Sequence, residues 1–475
     1  MSALLKPDIC VIGAGSGGLS VAAAAAAFGV DVVLIEKDKM GGDCLNYGCV
    51  PSKALLAAGK AASAHGPDPR IGVVSGPGEI SFESANRHVR SVIAAIAPHD
   101  SVERFEGLGV TVLQGEARFE DAGSVVVGET RIKARRFVIA TGSSAAIPPI
   151  EGLAQVPYLT NETLFELTEA PEHLLIIGGG PIGLEMAQAH RRLGSRVTVV
   201  EAQKALGRDD AELAGVVLEK IRGEGVGLLE ETRVTSVRSV DGVIELSVEN
   251  SHGKSVLSGS HLLVATGRTP NVQGLGLHEA GIRFSSRGIE IDRGLRTSNR
   301  KVYAIGDVVG GLQFTHAAGY QAGLVIRSIL FRLPIRFDDT IMPWVTYTSP
   351  ELGHVGLSEA AARARFGKGV RVLTADYSGN DRAIAEGLPL GSLKLIVGPG
   401  GRLLGGDIVG HQAGEIINLL SLALSRRLKM KDLAGFVAPY PTLGELVRRA
   451  AISYYADAPK SSIVRSIVRF LRKLG

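Results

Sequence analysis

Cysteine is scarce in this chain. There are three in 475 residues, and two of them, Cys44 and Cys49, lie five positions apart. Such scarcity excludes a small secreted scaffold stapled by disulfides, and a zinc site would need further Cys or His ligands at metal spacing. Long apolar runs are also missing. No stretch has the length and purity of a transmembrane helix, and the apolar N-terminal segment carries Asp8 and a glycine cluster instead of a cleavage site, so a cytoplasmic protein is expected. Neither sign of charge dominates: 52 basic and 48 acidic residues leave a formal net charge of +4, too small over this length to imply nucleic-acid binding. The composition, 45% apolar and 21% charged, is that of an ordinary globular chain with ample core, and the length suggests about three domains.

Glycine, by contrast, falls in patterns. Residues 8 to 36 read as a strand (DICVIG), a glycine turn, an alanine-rich helix and a second strand (DVVLIE). Gly13, Gly15 and Gly18 supply G-x-G-x-x-G, whose backbone N–H groups can approach a pyrophosphate at the helix start. Glu36 ends the second strand 23 positions after Gly13, where a carboxylate can accept from ribose hydroxyls. The unit recurs at 174 to 201 with Gly178, Gly180, Gly183 and Glu201. Two dinucleotide sites in one chain suit electron transfer between a bound flavin and a diffusible nicotinamide. Glu201 can accept from the 2′-OH of NAD and would repel the 2′-phosphate of NADP. Lys204 and Arg208 follow closely and soften that exclusion, so NAD(H) is expected and NADP(H) is the alternative.

Between the two units lies Gly-Gly-Asp-Cys-Leu-Asn-Tyr-Gly-Cys-Val-Pro-Ser-Lys, residues 41 to 53, running into an alanine-rich helix. A thiolate near a helix N-terminus is stabilised by the backbone N–H groups and the helix dipole, so Cys44 and Cys49 read as a redox pair. Lys53 falls one helical turn beyond Cys49, where its cation can stabilise nearby negative charge. Cys10, in a predicted buried strand, is read as a small apolar side chain.

Together the strings VIGAGSGG, GGDCLNYGCVPSK, VIATGS, IIGGGPIGLE, LVATGRTPN, VYAIGD and PWVTYTSPELGHVGLSE resemble the pyridine nucleotide-disulfide oxidoreductases, the flavoprotein family of dihydrolipoamide dehydrogenase, glutathione reductase and mercuric reductase. The resemblance implies an α/β fold of two Rossmann-like dinucleotide-binding domains plus an α+β C-terminal dimerisation domain. It places an FAD domain at 1–155 and 275–340, an NAD(P) domain at 156–274, an interface domain at 341–458, and leaves a basic amphipathic tail at 459–475. By the same resemblance Cys49 is the thiolate nearest the flavin and Cys44 the thiol that meets substrate. Glu185 partners Lys53. Gly42, Thr141, Gly142, Gly267, Gly306 and Asp307 join the cofactor sites, with Asp307 on the ribitol of FAD. A homodimer is implied, since in that family the partner subunit completes each active site.

One motif departs from the family. Glutathione and dihydrolipoamide enzymes carry His-Pro-Thr with a glutamate four residues after the proline, and that histidine serves as acid and base. Here the string is Tyr440-Pro441-Thr442-Leu443-Gly444-Glu445. Tyrosine ordinarily titrates near 10 and histidine near 6.5, so Tyr440 is a poor base at neutral pH, though it can donate. Tyr440, QFTHAAGYQAG and NDRAIAEG resemble the mercuric-reductase-like branch, yet no cysteine follows Cys49 to form a C-terminal metal-taking pair. His411 and His316 remain as local bases. In the tail, a helix would put Ile463, Ile467, Phe470, Leu471 and Leu474 on one face and Arg465, Arg469, Arg472 and Lys473 largely opposite, which suits docking on the protein's own surface or a partner's first, and the periphery of an anionic membrane second.

The reading is therefore an FAD-dependent, NAD(P)H-linked dithiol/disulfide oxidoreductase acting on a small-molecule or protein-borne disulfide, with no resident metal. Its rivals are a flavin diaphorase or quinone reductase, and a flavin-holding structural subunit of a larger complex.

Overall fold

Runs rich in valine and isoleucine become parallel strands buried on both faces, as covered parallel sheets require. The computed structural model describes residues 3–64 and 80–474, which divide into two units: 3–64, 80–205 and 225–339 in the first, and 206–224 and 340–474 in the second.

In the first unit, five parallel strands run in the order Val302–Ala304, Arg136–Ile139, Ile9–Ile12, Val32–Glu36 and Thr111–Gln114. Helix Ser16–Ala27 leaves the first glycine turn and packs along helix Thr315–Phe331. A side chain at Gly17 would crowd Ala318 and Ile305 at 3.3 Å, so a residue without Cβ keeps that approach close. A second parallel sheet runs Gly227–Leu229, Arg196–Val200, His173–Ile177 and His261–Val264, with helix Pro181–Arg192 leaving its glycine turn. The turn-rich stretches after each Rossmann-like half are antiparallel, Arg118–Asp121 to Thr130–Ile132 in one and Arg233–Val240 to Gly253–Gly259 in the other.

The second unit is built on a five-stranded antiparallel sheet ordered Pro343–Thr346, Glu351–Gly356, Leu403–Gly410, Gly391–Val397 and Arg371–Asp376. Helices Ala413–Ser425, Glu445–Ser453 and Ala211–Gly223 pack on it. Segment 206–224 is held there by polar contacts as well: Trp344 Nε1 donates to Asp209 at 2.8 Å and Lys394 Nζ to Asp210 at 2.9 Å. Among the described residues no helix is long and apolar enough to cross a membrane.

Candidate active site

The two glycine turns repeat one construction. Gly13 and Gly178 have φ of 102° and 115°, and a Cβ on either would lie 2.4 Å from a carbonyl oxygen, that of Ala140 or Ala265, the first residue of each A-T-G element. Gly18 and Gly183 press on their own turns, where a Cβ would meet the carbonyl oxygen of Gly13 at 1.8 Å or of Gly178 at 2.0 Å. These four glycines are explained by protein packing alone. Gly15 and Gly180 are not: a Cβ at Gly15 would meet nothing nearer than Gly42 Cα at 4.0 Å, and one at Gly180 nothing within 4 Å. Each opens a helix whose first N–H groups point outward, so the space a side chain would take fits the close approach of a pyrophosphate. The residues present thus fit both a bound FAD and a nicotinamide nucleotide.

Glu36 and Glu201 are fastened to these turns. Glu36 Oε2 accepts from Ala14 N at 2.6 Å, and Glu201 Oε2 accepts from Gly179 N at 2.7 Å, the residue between the first two glycines in each case. The second oxygens accept from the chain just beyond, Lys37 and Asp38 or Gln203. Each carboxylate therefore braces the turn it stands beside.

The cysteine loop lies against the first turn. Gly41 pairs with Gly15 in a short bridge, and Gly42, at φ 56°, has no room for a Cβ, which would lie 2.8 Å from Gly15 Cα. Cys44 sits in the short helix Gly42–Asn46, and Cys49 opens helix Cys49–Ala64. Both are free thiols here, Cys49 exposed and Cys44 partly buried. They hydrogen-bond to each other, and Cys49 Sγ also lies 3.4 Å from Thr315 Oγ1. The hydrogen bond from Cys44 brings Cys49 down to about 6, with Thr315 and the Lys53 cation adding to the effect against burial and Asp43. Cys44 is pushed well up by that same shared bond, by burial and by the charge on Cys49. The pair is polarised, one acid and one reluctant.

Lys53 Nζ meets Glu185 Oε2 at 2.8 Å, with Glu185 buried and Lys53 about half-buried. Their helices touch at Gly59, where a Cβ would be 3.3 Å from the Ala189 backbone.

Thr141 Oγ1 donates to Asn271 O, and Asn271 Nδ2 donates back to Thr141 O. The residues after the two A-T-G elements pair as strands, Ser143–Ala145 with Arg268–Pro270, and Gly142 and Gly267 supply positive φ just before them. Gly306 N donates to Gln321 Oε1, and Asp307 accepts from Ser143 Oγ at 2.6 Å while burial holds its carboxyl above the usual range. Sequence reasoning missed the cation at the centre. Arg268, mostly buried, binds Asp43 Oδ1 at 2.9 Å and Ser143 Oγ at 2.7 Å and lies 3.7 Å from Asp307 Oδ2, so one guanidinium ties the cysteine loop to Asp307. Its place in LVATGRTPN was the available signal. Thr315 likewise stood in QFTHAAGYQAG beside His316, which stacks on Phe314.

Tyr440 and Glu445 belong to the second unit. Tyr440 is 71% exposed, and its hydroxyl donates to Asp381 Oδ2 at 2.8 Å, which raises it above the ordinary phenol value. Glu445 accepts from Thr442 N at the start of its helix. His411 Nε2 is 3.9 Å from Glu386 Oε2.

Paired dinucleotide turns, with a polarised dithiol lodged against one of them, define a nucleotide-dependent dithiol oxidoreductase. The chain belongs to the pyridine nucleotide-disulphide oxidoreductase family: the family model matches residues 7–322, and the model of the family's dimerisation domain matches residues 342–451. It is a flavoprotein oxidoreductase using FAD and NAD(P)H. It is similar to the mercuric reductase of Lysinibacillus sphaericus, 33% identical over 96% of this chain and 84% of that one. The dihydrolipoyl dehydrogenase of Staphylococcus aureus is 34% identical over 94% of this chain and 96% of that one. Among solved structures, the Cu(II) complex of the HOCl-induced flavoprotein disulfide reductase RclA from Escherichia coli has a TM-score of 0.84 at 27% identity, covering 94% of this chain and 99% of that one.

Proposed function

We propose that the Cys44–Cys49 pair is the redox centre and that it carries an electron pair between a nicotinamide nucleotide and a disulfide substrate. The observation that carries this reading is the placement of the two thiols: their loop is seated on the Gly15 turn, Cys49 opens its helix 3.4 Å from Thr315 Oγ1, and its acidity is raised by Cys44, Thr315 and Lys53. A bound FAD would supply the two-electron relay between NAD(P)H and the Cys44–Cys49 disulfide. Gly13, Gly15, Gly18, Glu36, Gly42, Thr141, Gly142, Gly306 and Asp307 would hold it, in a domain formed by 1–155 and 275–340. Gly178, Gly180, Gly183, Glu201 and Gly267 would hold the nicotinamide nucleotide, in a domain at 156–274. Residues 341–458 would form the homodimer interface.

Cys49 is the thiolate that persists at neutral pH. Lys53 supports its charge, Glu185 fixes Lys53, and Thr315 offers a hydroxyl to the sulfur. Cys44 keeps its proton until a base removes it and is then the nucleophile toward substrate. Tyr440 and Glu445 stand where the family has its histidine and glutamate, and the bond from Tyr440 to Asp381 makes the phenol a donor and a weak base. That favours slow exchange with dithiols such as dihydrolipoamide, and it gives weight to a second reading in which quinones are reduced without a thiol base. Mercury is disfavoured as the main substrate, because no cysteine follows Cys49. We place the protein in the cytoplasm, where thiols stay reduced. Its partners would be the disulfide, a second copy of the chain, and a surface met by the C-terminal helix.

Steady-state NADH oxidation against a panel of disulfides, quinones and metal ions, in wild type, Cys44→Ser and Cys49→Ser, tests this. Disulfide reduction should vanish in both variants. Quinone reduction that survives in both, with no disulfide turned over by wild type, would favour the diaphorase reading.

A further inference from the structure

Beyond the redox site, the most unusual surface is the C-terminal helix Ser462–Leu471, capped by Ser461 Oγ accepting from Val464 N. It buries none of its residues. With about 100° between successive residues, Phe470, Ile463, Ile467, Leu471, Val464 and Val468 fill one unbroken arc of about 160°, Arg465 and Arg469 lie on the opposite side, and Arg472, Lys473 and Leu474 follow in the turn after the helix. All seven apolar side chains are exposed, from Val464 at 38% to Ile463 at 70%. A helix docked on its own unit would hide that arc. This one leaves it open from end to end.

The charges decide what fits. No acidic residue lies between Asp457 and the end of the chain, while Lys460, Arg465, Arg469, Arg472 and Lys473 are all basic. A purely apolar groove would leave the four cations of the helix and the turn after it without complement. An anionic bilayer surface satisfies both sides at once: the apolar arc enters the acyl boundary, and the long arginine and lysine stems reach back to the lipid phosphates.

We propose that Ser462–Leu471 and the turn after it form an in-plane docking element for an anionic membrane surface. The inference does not depend on which substrate the dithiol reduces. It is tested with the full-length, flavin-loaded protein by co-sedimentation with vesicles of phosphatidylcholine plus phosphatidylglycerol and with vesicles of phosphatidylcholine alone. Wild type should pellet with the anionic vesicles and stay mostly in solution with the neutral ones. A chain ending at Lys460 should lose binding while keeping its flavin and NADH oxidation. Each cation near the surface is worth about fivefold in partitioning, so Arg469→Gln with Arg472→Gln should weaken binding by about 25-fold. Ile467→Asp should abolish it while leaving flavin content unchanged, which separates lost docking from lost folding. Equal binding to neutral vesicles, or binding retained by the truncated chain, would overturn the proposal. So would failure to bind anionic vesicles combined with a change of oligomeric state on truncation, which would give the apolar face to a second copy.

Discussion

Lys53 and Glu185, 132 positions apart in sequence, meet at 2.8 Å, and their ion pair joins the helix of the cysteine loop to the helix of the second dinucleotide turn. Glu185 is almost wholly buried, so its charge depends on Lys53 for compensation. The same cation favours the thiolate of Cys49.

The acidity of Cys49 should be measurable directly. In the reduced protein, the pH profile of iodoacetamide alkylation at Cys49 should have its midpoint near 6, well below an ordinary thiol. Removing the cation in Lys53→Met, or the hydroxyl in Thr315→Val, should move that midpoint up, because both groups favour the thiolate; Asp43→Asn should move it down. For Lys53→Met the movement should be roughly one pH unit. A wild-type midpoint near that of a free thiol would remove the basis for assigning Cys49.

Arg268 should matter for cofactor retention. In Arg268→Met, Asp43 and Asp307 lose their shared cation inside a largely buried cluster. The cost lies between that of exposed and buried pairs, roughly 1–3 kcal/mol. Thermal unfolding should shift down and flavin should be lost on gel filtration, with Arg268→Lys intermediate because it keeps the charge without the planar fork. Full flavin content and an unshifted transition in Arg268→Met would show that the contact is dispensable.

Glu201 both braces a turn and carries charge, and two substitutions separate these roles. Glu201→Gln keeps an oxygen for Gly179 N while removing the charge, so it should narrow the preference for NADH over NADPH by about tenfold, or about 1.4 kcal/mol. Glu201→Arg should narrow it further or reverse it. Wild-type kcat/KM values equal for the two nucleotides would refute the charge argument.

Tyr440 supports the most exposed prediction. Lipoamide turnover should be slow at pH 7, little changed in Tyr440→Phe, and raised in Tyr440→His, since a general base contributes about 10²- to 10⁴-fold when it reaches the thiol. Quinone reduction should be indifferent to both changes. Fast wild-type lipoamide turnover, unaffected by Tyr440→Phe, would mean that another group such as His411 moves the proton.

Much of this was legible because the defining contacts are local or periodic. Gly13 to Glu36 and Gly178 to Glu201 are single βαβ segments, and Lys53 follows Cys49 by one turn of the same helix. The rest depends on contacts between distant parts of the chain. Thr315 reaches Cys49 from 266 positions away, and nothing in its neighbours announces a sulfur partner. Gly59 looks like a weak point in an alanine-rich helix until Ala189 is packed against it. Nor does anything in the order of residues announce that Tyr440 donates to Asp381, 59 positions before it. The bracing of the glycine turns by Glu36 and Glu201 was equally hidden, because a ribose-binding role is an apparently sufficient reason for an acid at a strand end.

The contact of Gly13 with Ala140, repeated by Gly178 with Ala265, has a consequence for how such a chain can change. Each half is clamped at two points, the turn that starts it and the carbonyl that returns to it. The antiparallel hairpins within those clamps, 118–132 and 233–259, come after Glu36 and Glu201 and after the glycine turns, so a change of length in them leaves the spacing of the nucleotide cradle unaltered. Ala140 and Ala265 are therefore natural splice points for chimeras: an entire excursion can be exchanged with that of a relative, provided the glycine that faces the carbonyl remains.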